Sequence, residues 1–336
     1  MAIPMKDPLV SVKMITYNHA SYIAQSIECV LQQKANFPFE LVIGEDCSTD
    51  GTREIVFKYQ NKYPNIIRVI TSDKNVGARI NTIRTFKYCR GKYIAFCEGD
   101  DYWHNSHKLQ KQVDYLESHP ECGLLFADCH IHHVEFNKLY KNVNFNNGYQ
   151  SPVNLTIEQI ITQRPKVWTC TAMARRNLIK KVSDGDPYLY QGENFLMGDN
   201  QLWAELSLLS KVRYIPESMG TYRRLVDSAS HRKDLNQLLR FLKSSRDMKI
   251  YICDKYKLSE DLRREIESRY WDNALRIAFH QRNTELALEI KREKKIFSWE
   301  EWLRYYGARN SLLYFICHYS ALFLNLFRKN DNLSLK

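Results

Sequence analysis

The fold is decided by the stretch YIAFCEGDDYW at residues 93–103, where an apolar run meets three carboxylates. Residues 93–97 have the length and composition of a buried β-strand, and Glu98, Asp100 and Asp101 follow it around Gly99. Carboxylates this close repel one another, and their oxygens suit a hard divalent cation. The glycine lets a ligand approach the backbone closely. The alternative is an acidic surface turn, because aspartate and glycine are common in turns.

Three further strand–helix units precede this stretch. Strands are predicted at 9–16, 39–44 and 66–71, and helices at 21–33, 53–63 and 78–89. Such alternation builds a parallel sheet covered by helices, with the strand ends at one edge, where open α/β folds bind ligands. We therefore expect Thr16, Tyr17, Asp46 and the three carboxylates in one crevice. Neither GxGxxG after the first strand nor GxxxxGK followed by Ser or Thr occurs, which argues against a Rossmann dehydrogenase and a P-loop nucleotidase.

The pattern is less regular after residue 103. Helices are predicted at 105–119 and 199–210, and strands at 123–128, 168–174, 213–216 and 220–224. The stretch CHIHH at 129–133 contains residue types that bind zinc. On a strand, however, His130 and His132 would lie on one face and Cys129 and His133 on the other, so a zinc site is not favoured. Residues 137–150 are polar and are expected to form a loop.

The last third of the chain is predicted to be helical and basic. Helices are expected at 234–256, 259–280, 284–295 and 298–306. Residues 232–336 carry 22 Lys and Arg against 14 Asp and Glu, whereas residues 1–231 carry 27 against 24. This excess predicts an anionic partner (phospholipid, nucleic acid or a phosphorylated substrate) or a solvated helical face. The apolar residues 312–327 are too few for the roughly 20-residue span of a membrane helix. An interfacial helix on an anionic membrane, a packed terminal helix and an oligomer contact remain open.

The cysteines indicate the compartment. Nine of them are scattered without a CxxC pair, and residues 1–7 contain no apolar signal-peptide core. Buried free thiols are typical of a reducing environment. We expect a cytoplasmic protein, and the basic tail leaves open a peripheral position at the inner face of the cytoplasmic membrane.

Four motifs in order resemble those of glycosyltransferase family 2: VSVKMITYN at 10–18, EDCSTDGT at 45–52, NVG at 75–77 and EGDDYW at 98–103. The resemblance covers about residues 8–231. It implies an α/β protein with the GT-A fold, a mostly parallel nucleotide-sugar-binding sheet flanked by helices, with a DXD-type metal site. We therefore expect a catalytic domain at 1–231, with a nucleotide-binding half at 1–103 and an acceptor half at 104–231. A basic helical region follows at 232–336.

The resemblance also assigns a donor site. Thr16 and Tyr17 would border the nucleoside, and Asp46 would hydrogen-bond the base. Glu98, Asp100 and Asp101 would hold Mn²⁺ or Mg²⁺ on the donor diphosphate. Because Glu98 stands where the family has Asp, its longer side chain is expected to contact the ribose or a metal-bound water, with Asp100 as the direct metal ligand. Arg79, next to the NVG motif, is in reach of a phosphate.

The second half of the chain supplies the candidates for catalysis and acceptor binding. Asp199 occupies a helix N-cap position in GDNQLW at 198–203, a stretch that carries the catalytic base in the family. Trp103 and Trp203 offer faces for a sugar ring or belong to the core. The segment from Tyr222 to His231 resembles the one that folds over the diphosphate, so Arg223 or His231 would supply positive charge to the leaving group.

These features predict a metal-dependent, inverting glycosyltransferase of the hexosyl- or N-acetylhexosaminyl-transferase class. It would move a sugar from a nucleotide-diphosphate donor, with a UDP-sugar favoured, to a glycan or lipid-linked acceptor in cell-surface polysaccharide synthesis. A sugar nucleotidyltransferase is one alternative, although it would show a glycine- and lysine-rich loop where this chain has YNHAS at 17–21. A protein that binds nucleic acid or another anionic surface is the other. The basic helices lack an aromatic platform, so nucleic acid is not expected.

Overall fold

Apolar strands alternate with helices over the first hundred residues. The computed structural model describes residues 7–190, 194–225, 234–294 and 298–315. The first elements are β1 (Val10–Thr16), α1 (Ile23–Leu31), β2 (Phe39–Glu45), α2 (Thr52–Lys62), β3 (Ile67–Ile70), α3 (Gly77–Lys87) and β4 (Tyr93–Phe96). The pairs β1–β2, β2–β3 and β1–β4 are parallel. Their apolar side chains form the core beneath α1 and α2, so the predicted strand–helix alternation is confirmed.

Shorter elements complete the sheet. They are β5 (Tyr102–Trp103), α4 (Lys108–Ser118), β6 (Cys122–His133), β7 (Lys138–Tyr140), α5 (Val143–Asn146), β8 (Val153–Leu155), α6 (Ile157–Thr162), a 3₁₀ turn (Thr169–Thr171), β9 (Met173–Arg175), α7 (Arg176–Gly185), α8 (Pro187–Tyr190), α9 (Asn200–Leu209) and β10 (Lys211–Arg224). Within the described residues the ten strands run in the order β3-β2-β1-β4-β9-β6-β10-β5, with β7 beside β6 and β8 beside β10. Strand β9 is antiparallel to β4 and β6, while β10 is parallel to β6. The sheet is therefore parallel in its first half and mixed in its second.

Three predicted segments differ from the structure. The strands expected at 213–216 and 220–224 form one strand, β10, because irregular pairing between Ile215 and Gly220 accommodates Pro216. The strand expected at 168–174 is a 3₁₀ turn followed by the short β9. The loop expected at 137–150 contains β7 and α5, where Asn144 is buried and bonded to the main chain of Lys166.

The histidines of the CHIHH stretch extend β6 and have separate partners. His130 stacks on His104 at 4.3 Å and its Nδ1 lies 2.7 Å from Ser218 Oγ. His132 contacts Asn137, and His133 contacts Arg224. Among the described residues, no group of three or more His, Cys, Asp or Glu side chains converges as a metal cage, and the eight cysteines there carry free thiols.

The chain divides into two compact units, Met1–Ser244 and Ser245–Lys336. The predicted boundary at 231 and 232 and residues 316–327 of the apolar tail lie outside the described residues. The helices that follow β10 are α10 (Leu235–Tyr256), α11 (Glu260–His280), α12 (Thr284–Glu293) and α13 (Trp299–Arg309). Side-chain caps at Ser259, Asn283 and Ser298 start the last three, and alanines and leucines pack α11 against α12 and α13. No helix in the described residues is both long and apolar enough to cross a membrane.

Candidate nucleotide-sugar site

The carboxyl ends of β1, β2 and β4 meet at one edge of the sheet. Thr16 pairs with Glu45 in the β1–β2 register, and the Asp46 N–H donates to the Thr16 carbonyl at 3.1 Å. On the other side, the Gly99 N–H donates to the Ile15 carbonyl at 2.9 Å. The loop after β2 and the acidic loop after β4 are therefore both anchored to the end of β1. The structure brings together the residues of the predicted donor crevice.

Gly99 is required by this anchoring. A Cβ at Gly99 would lie 2.5 Å from Thr16 Oγ1, so a side chain would push β4 and its loop away from β1. Thr16 is itself buried and lies 3.2 Å from His19 Nδ1. Tyr17 is 43% exposed, so its ring rather than Thr16 is available to a nucleoside.

The loops after β1 and β2 are joined by hydrogen bonds. Asn18 and Cys47 both adopt left-handed backbone conformations, with φ of 54° and 60°. The Asn18 N–H donates to Ser48 Oγ at 3.0 Å, and the Asn18 side chain accepts from the Thr49 N–H at 2.9 Å. Asp50 accepts hydrogen bonds from the Ala20 and Thr52 N–H groups, so it joins the loop after β1 to the first residue of α2. Strained residues concentrated at one crevice fit a binding site.

Asp46 holds the NVG loop. Its Oδ1 accepts from the Val76 N–H at 2.9 Å and its Oδ2 from the Gly77 N–H at 2.9 Å. Ser72 Oγ donates at 3.2 Å, and the Arg84 guanidinium lies 3.7 Å from Oδ1. The side chain is 1% exposed, so its visible function is to fix the loop that starts α3. A contact with a base, as the resemblance implies, would be made in addition to these bonds.

Arg79 is bonded to main-chain carbonyl groups. Its guanidinium donates to the main-chain carbonyls of Phe195, at 2.6 Å, and of Leu189. Burial lowers the pKa of Arg79. The structure thus gives Arg79 a role in holding the segment around α8, in place of the predicted phosphate contact.

The three carboxylates after β4 have different environments. Asp101 is buried, and its Oδ1 accepts from the Arg223 N–H at 2.8 Å, so it ties the acidic loop to β10. Burial also raises the pKa of Asp101 well above its usual value. These contacts give Asp101 a structural role, and its assignment as a metal ligand stays a prediction. Asp100, in contrast, keeps a partly exposed carboxylate 3.9 Å from His19 Nε2.

Glu98 has an unsatisfied oxygen. Among the described residues, its buried Oε2 has no hydrogen-bond partner. Burial raises the pKa of Glu98 to about 7, and the nearby charges of Asp100 and Asp199 add to this effect, while Lys13 opposes it. An orphaned buried carboxylate oxygen costs free energy unless a ligand supplies a partner. Glu98 and Asp100 fit a divalent cation that takes its remaining ligands from phosphate and water.

Lys13 is a residue of this site that the sequence analysis did not identify. It is buried in the middle of β1, with its Nζ 5.2 Å from the centre of the Phe96 ring. Burial lowers the pKa of Lys13, whereas Glu98 and Asp199 stabilise its charged form. A lysine inside the apolar strand LVSVKMIT was the available signal, because an ionised lysine in a core needs a compensating charge.

Asp199 caps α9 and still faces solvent. Its Oδ1 accepts from the Asn200 N–H at 2.7 Å, and its Oδ2 accepts from Thr169 Oγ1 at 2.9 Å. The residue is exposed and interacts electrostatically with Glu98 and Lys13. An oriented, accessible carboxylate beside the acidic loop is suited to proton transfer. Thr169, which orients it, lies in the segment predicted as a strand and was missed for that reason.

The two tryptophans belong to the core, the alternative that the sequence left open. Trp103 is 4% exposed and donates from Nε1 to the Cys170 carbonyl at 2.6 Å. Trp203 is 2% exposed and packs edge-on against Phe96, with 5.1 Å between ring centres. Neither ring has a free face for a sugar, which corrects the stacking role.

Arg223 lies beside the acidic loop, whereas His231 lies outside the described residues. The Arg223 guanidinium donates to the Asp100 carbonyl at 2.6 Å and to the Gln25 side chain. It sits between the rings of Tyr22 and Tyr102, at 5.2 and 4.5 Å from their centres. Its positive charge is thereby fixed next to Asp100.

The sheet is parallel in its first half, with acidic residues at the strand ends, and mixed in its second half, beside an exposed aspartate. This arrangement defines the GT-A class of nucleotide-sugar-binding folds. The fold is similar to that of Staphylococcus aureus TarS, solved in complex with UDP-GlcNAc, with a TM-score of 0.56 and 21% identity. That match covers 89% of this chain and 79% of the TarS chain. The chain belongs to glycosyl transferase family 2, whose family model matches residues 11–182.

Relatives by sequence cover shorter stretches. An uncharacterized Mycobacterium tuberculosis protein is 40% identical over 116 residues, which is 34% of each chain. The putative teichuronic acid biosynthesis glycosyltransferase TuaG of Bacillus subtilis is 38% identical over 109 residues, 32% of this chain and 42% of TuaG. The Escherichia coli UDP-Glc:alpha-D-GlcNAc-diphosphoundecaprenol beta-1,3-glucosyltransferase WfgD is 35% identical over 113 residues, 33% of this chain and 42% of WfgD. The chain thus spans about a third of the length of the first curated relatives it matches.

Proposed function

We propose that this protein is a metal-dependent, inverting glycosyltransferase that moves a sugar from a UDP-sugar to a hydroxyl of a glycan or lipid-linked acceptor in cell-surface polysaccharide synthesis. One observation carries the proposal: the partly exposed Asp100, the orphaned Glu98 oxygen and the exposed Asp199 share one crevice. The names of TuaG and WfgD support surface-glycan synthesis, and the nucleotide bound to TarS supports a UDP-sugar.

In this reaction Asp199 takes the proton of the acceptor hydroxyl as that oxygen attacks the anomeric carbon. Thr169 holds Oδ2 of Asp199 and the Asn200 N–H holds Oδ1, so the carboxylate is oriented while the residue stays exposed to the substrate. Glu98 and Asp100 would hold Mn²⁺ or Mg²⁺, which neutralises charge on the departing diphosphate. Arg223 fixes the main chain of Asp100, and Lys13 favours the ionised form of Glu98. A single base opposite the leaving group gives one displacement and inversion.

The test is calorimetric titration of the full chain with UDP and GDP, with and without Mn²⁺. We expect one nucleotide to bind in a metal-dependent manner, and Asp100→Ala to remove the metal dependence. Asp114→Ala is the matched control, because it removes an exposed carboxylate on α4. The proposal fails if neither nucleotide binds, or if the protein performs pyrophosphorolysis of a sugar nucleotide instead of sugar transfer.

We also propose that the C-terminal unit touches an anionic membrane. Trp299, Leu312 and Phe315 are 71%, 69% and 58% exposed, in a region rich in Lys and Arg. Exposed aromatic and apolar side chains next to basic ones suit a lipid interface. Co-sedimentation should be stronger with phosphatidylglycerol vesicles than with phosphatidylcholine vesicles and should weaken with salt. Equal sedimentation with both would overturn this proposal.

A further inference from the structure

A row of basic side chains crosses three strands on the acceptor half of the sheet. The register pairs Arg224 of β10 with His133 of β6, and His133 with Lys138 of β7. Paired residues on neighbouring strands point to the same face of a sheet. Arg224 Nη1 lies 3.5 Å from His133 Nε2, so the row is closely packed at its centre. Arg224, His133 and Lys138 are called the basic row below.

Aromatic side chains border the basic row on the same face. Two residues earlier on each of β10 and β6, Tyr222 pairs with Ile131, and Ile131 pairs with Tyr140 of β7. The ring centre of Tyr140 lies 5.2 Å from that of His133 and 4.8 Å from Lys138 Nζ. Cations next to aromatic faces form a surface suited to a ligand that combines negative charge with sugar or lipid.

Lys166 connects the basic row with the candidate base. Its Nζ lies 4.1 Å from the ring centre of Trp168 and 6.0 Å from that of Tyr222, so it reaches the same face. Burial lowers the pKa of Lys166, Arg224 adds to this effect, and Asp199 opposes it. Lys166 therefore interacts electrostatically with both Arg224 of the basic row and the candidate base Asp199.

The positive charges of Arg224 and Lys138 disfavour a third charge on His133 between them. Burial lowers the pKa of His133, and these two cations lower it further, so the histidine is neutral at pH 7. An anion bound here would relieve this repulsion and would gain charge-assisted hydrogen bonds from a guanidinium.

We propose that Arg224, His133, Lys138 and Lys166 form a phosphate-binding subsite for the acceptor, which carries its reactive hydroxyl close to a phosphate group. This inference rests on the proposed function and deepens it by naming the acceptor class. The phosphate belongs either to a lipid diphosphate that anchors a sugar or to the phosphodiester of a polymer. Both present the same anionic oxygens to the basic row.

The experiment measures binding of two organic probes to the full chain saturated with UDP: farnesyl diphosphate for a lipid diphosphate, and a glycerol phosphate oligomer for a phosphodiester polymer. We expect at least one probe to bind, and the tighter one identifies the source of the phosphate. Arg224→Gln and Lys138→Gln should each weaken its binding about 10-fold, the loss of one hydrogen bond to a charged group. Both variants should bind UDP with wild-type affinity. Lys138 is exposed, so its variant tests the subsite even if Arg224→Gln folds poorly.

Lys180→Gln is the matched control, because it removes one exposed positive charge on α7. The inference is overturned if neither organic probe binds, if only inorganic phosphate binds, or if the Arg224 and Lys138 variants keep wild-type probe affinity. Competition between UDP and the probe would also overturn it, because the row would then belong to the donor. Failure of the proposed function gives a different result, because UDP itself would then not bind. In that case, probe binding by the variants is compared in the absence of UDP.

Discussion

The Asp46 carboxylate either holds the NVG loop in place or hydrogen-bonds the nucleotide base. Replacing Asp46 with alanine distinguishes these two roles. The structure shows both of its oxygens bonded to the Val76 and Gly77 N–H groups at 2.9 Å, in a site where the side chain is 1% exposed. Alanine would leave the partly buried Val76 N–H without its partner, whereas the Gly77 N–H would keep its bond to Asn75 Oδ1 at 3.0 Å. If the first role is correct, stability and nucleotide binding should fall together.

The expected loss follows from the bond to the Val76 N–H. One orphaned N–H costs about 1–3 kcal/mol. Asp46 lies in the larger unit, Met1–Ser244. For a unit of this size, that loss lowers the melting temperature by roughly 2–12 °C. Asp46→Asn keeps one acceptor oxygen, so it should lose less stability than Asp46→Ala.

The assay combines thermal unfolding, followed by circular dichroism, with calorimetric titration of UDP and GDP. Asp73→Ala is the control, because Asp73 is an exposed carboxylate a few residues before the NVG motif. The reasoning would be refuted if Asp46→Ala melted at the wild-type temperature and lost nucleotide binding alone. In that case Asp46 would read the base, as the family resemblance implies.

Three further predictions concern the crevice and the core. Asp199→Asn should lower the transfer rate about 10²- to 10⁴-fold, as expected for loss of a general base, and a parallel loss of UDP affinity would contradict this role. In metal-free buffer, folded Glu98 keeps its proton up to a pKa of about 7, whereas its unfolded value is 4.5. The contribution of this group to the free energy of unfolding therefore falls as pH rises between those values. Glu98→Gln should remove that fall, which is worth roughly 2–3 kcal/mol at pH 8 and can be measured by urea unfolding. An unchanged pH profile would refute this prediction. Trp203→Ala should cost about 3–5 kcal/mol because it opens a cavity beside Phe96, whereas a variant of wild-type stability with altered acceptor choice would restore the sugar-stacking role.

The donor half of the fold could be predicted because its determinants are local. Each strand is one apolar run, each helix follows within about ten residues, and parallel connections leave one arrangement of the strand ends. The position of the acidic loop beside Thr16 and Asp46 could therefore be predicted without knowledge of any contact. The sequence did not reveal the hydrogen-bond partner of each carboxylate. Asp101 is directed to β10 by a bond to Arg223, which is 122 residues away along the chain.

The acceptor half could be predicted less well because long-range pairing determines it. Strand β6 continues through the histidines because β10 and β7 pair with it on either side. The burial of Trp203 depends on its contact with Phe96, which no local pattern reveals. Lys13 was open to prediction, since a charged residue within an apolar strand must be exposed, paired or functional.

This difference between the halves has a physical consequence for specificity. On the donor side, Asp46, Asp101 and Gly99 each serve both the crevice and the folded structure, so changes there should affect stability and nucleotide binding together. On the proposed acceptor side, Lys138 is exposed and contributes little to the core, whereas Asp199 is exposed but also caps α9. Substitutions of exposed side chains usually change stability by less than about 0.5 kcal/mol. The acceptor surface can therefore change its ligand at little cost to the fold, while the donor site cannot.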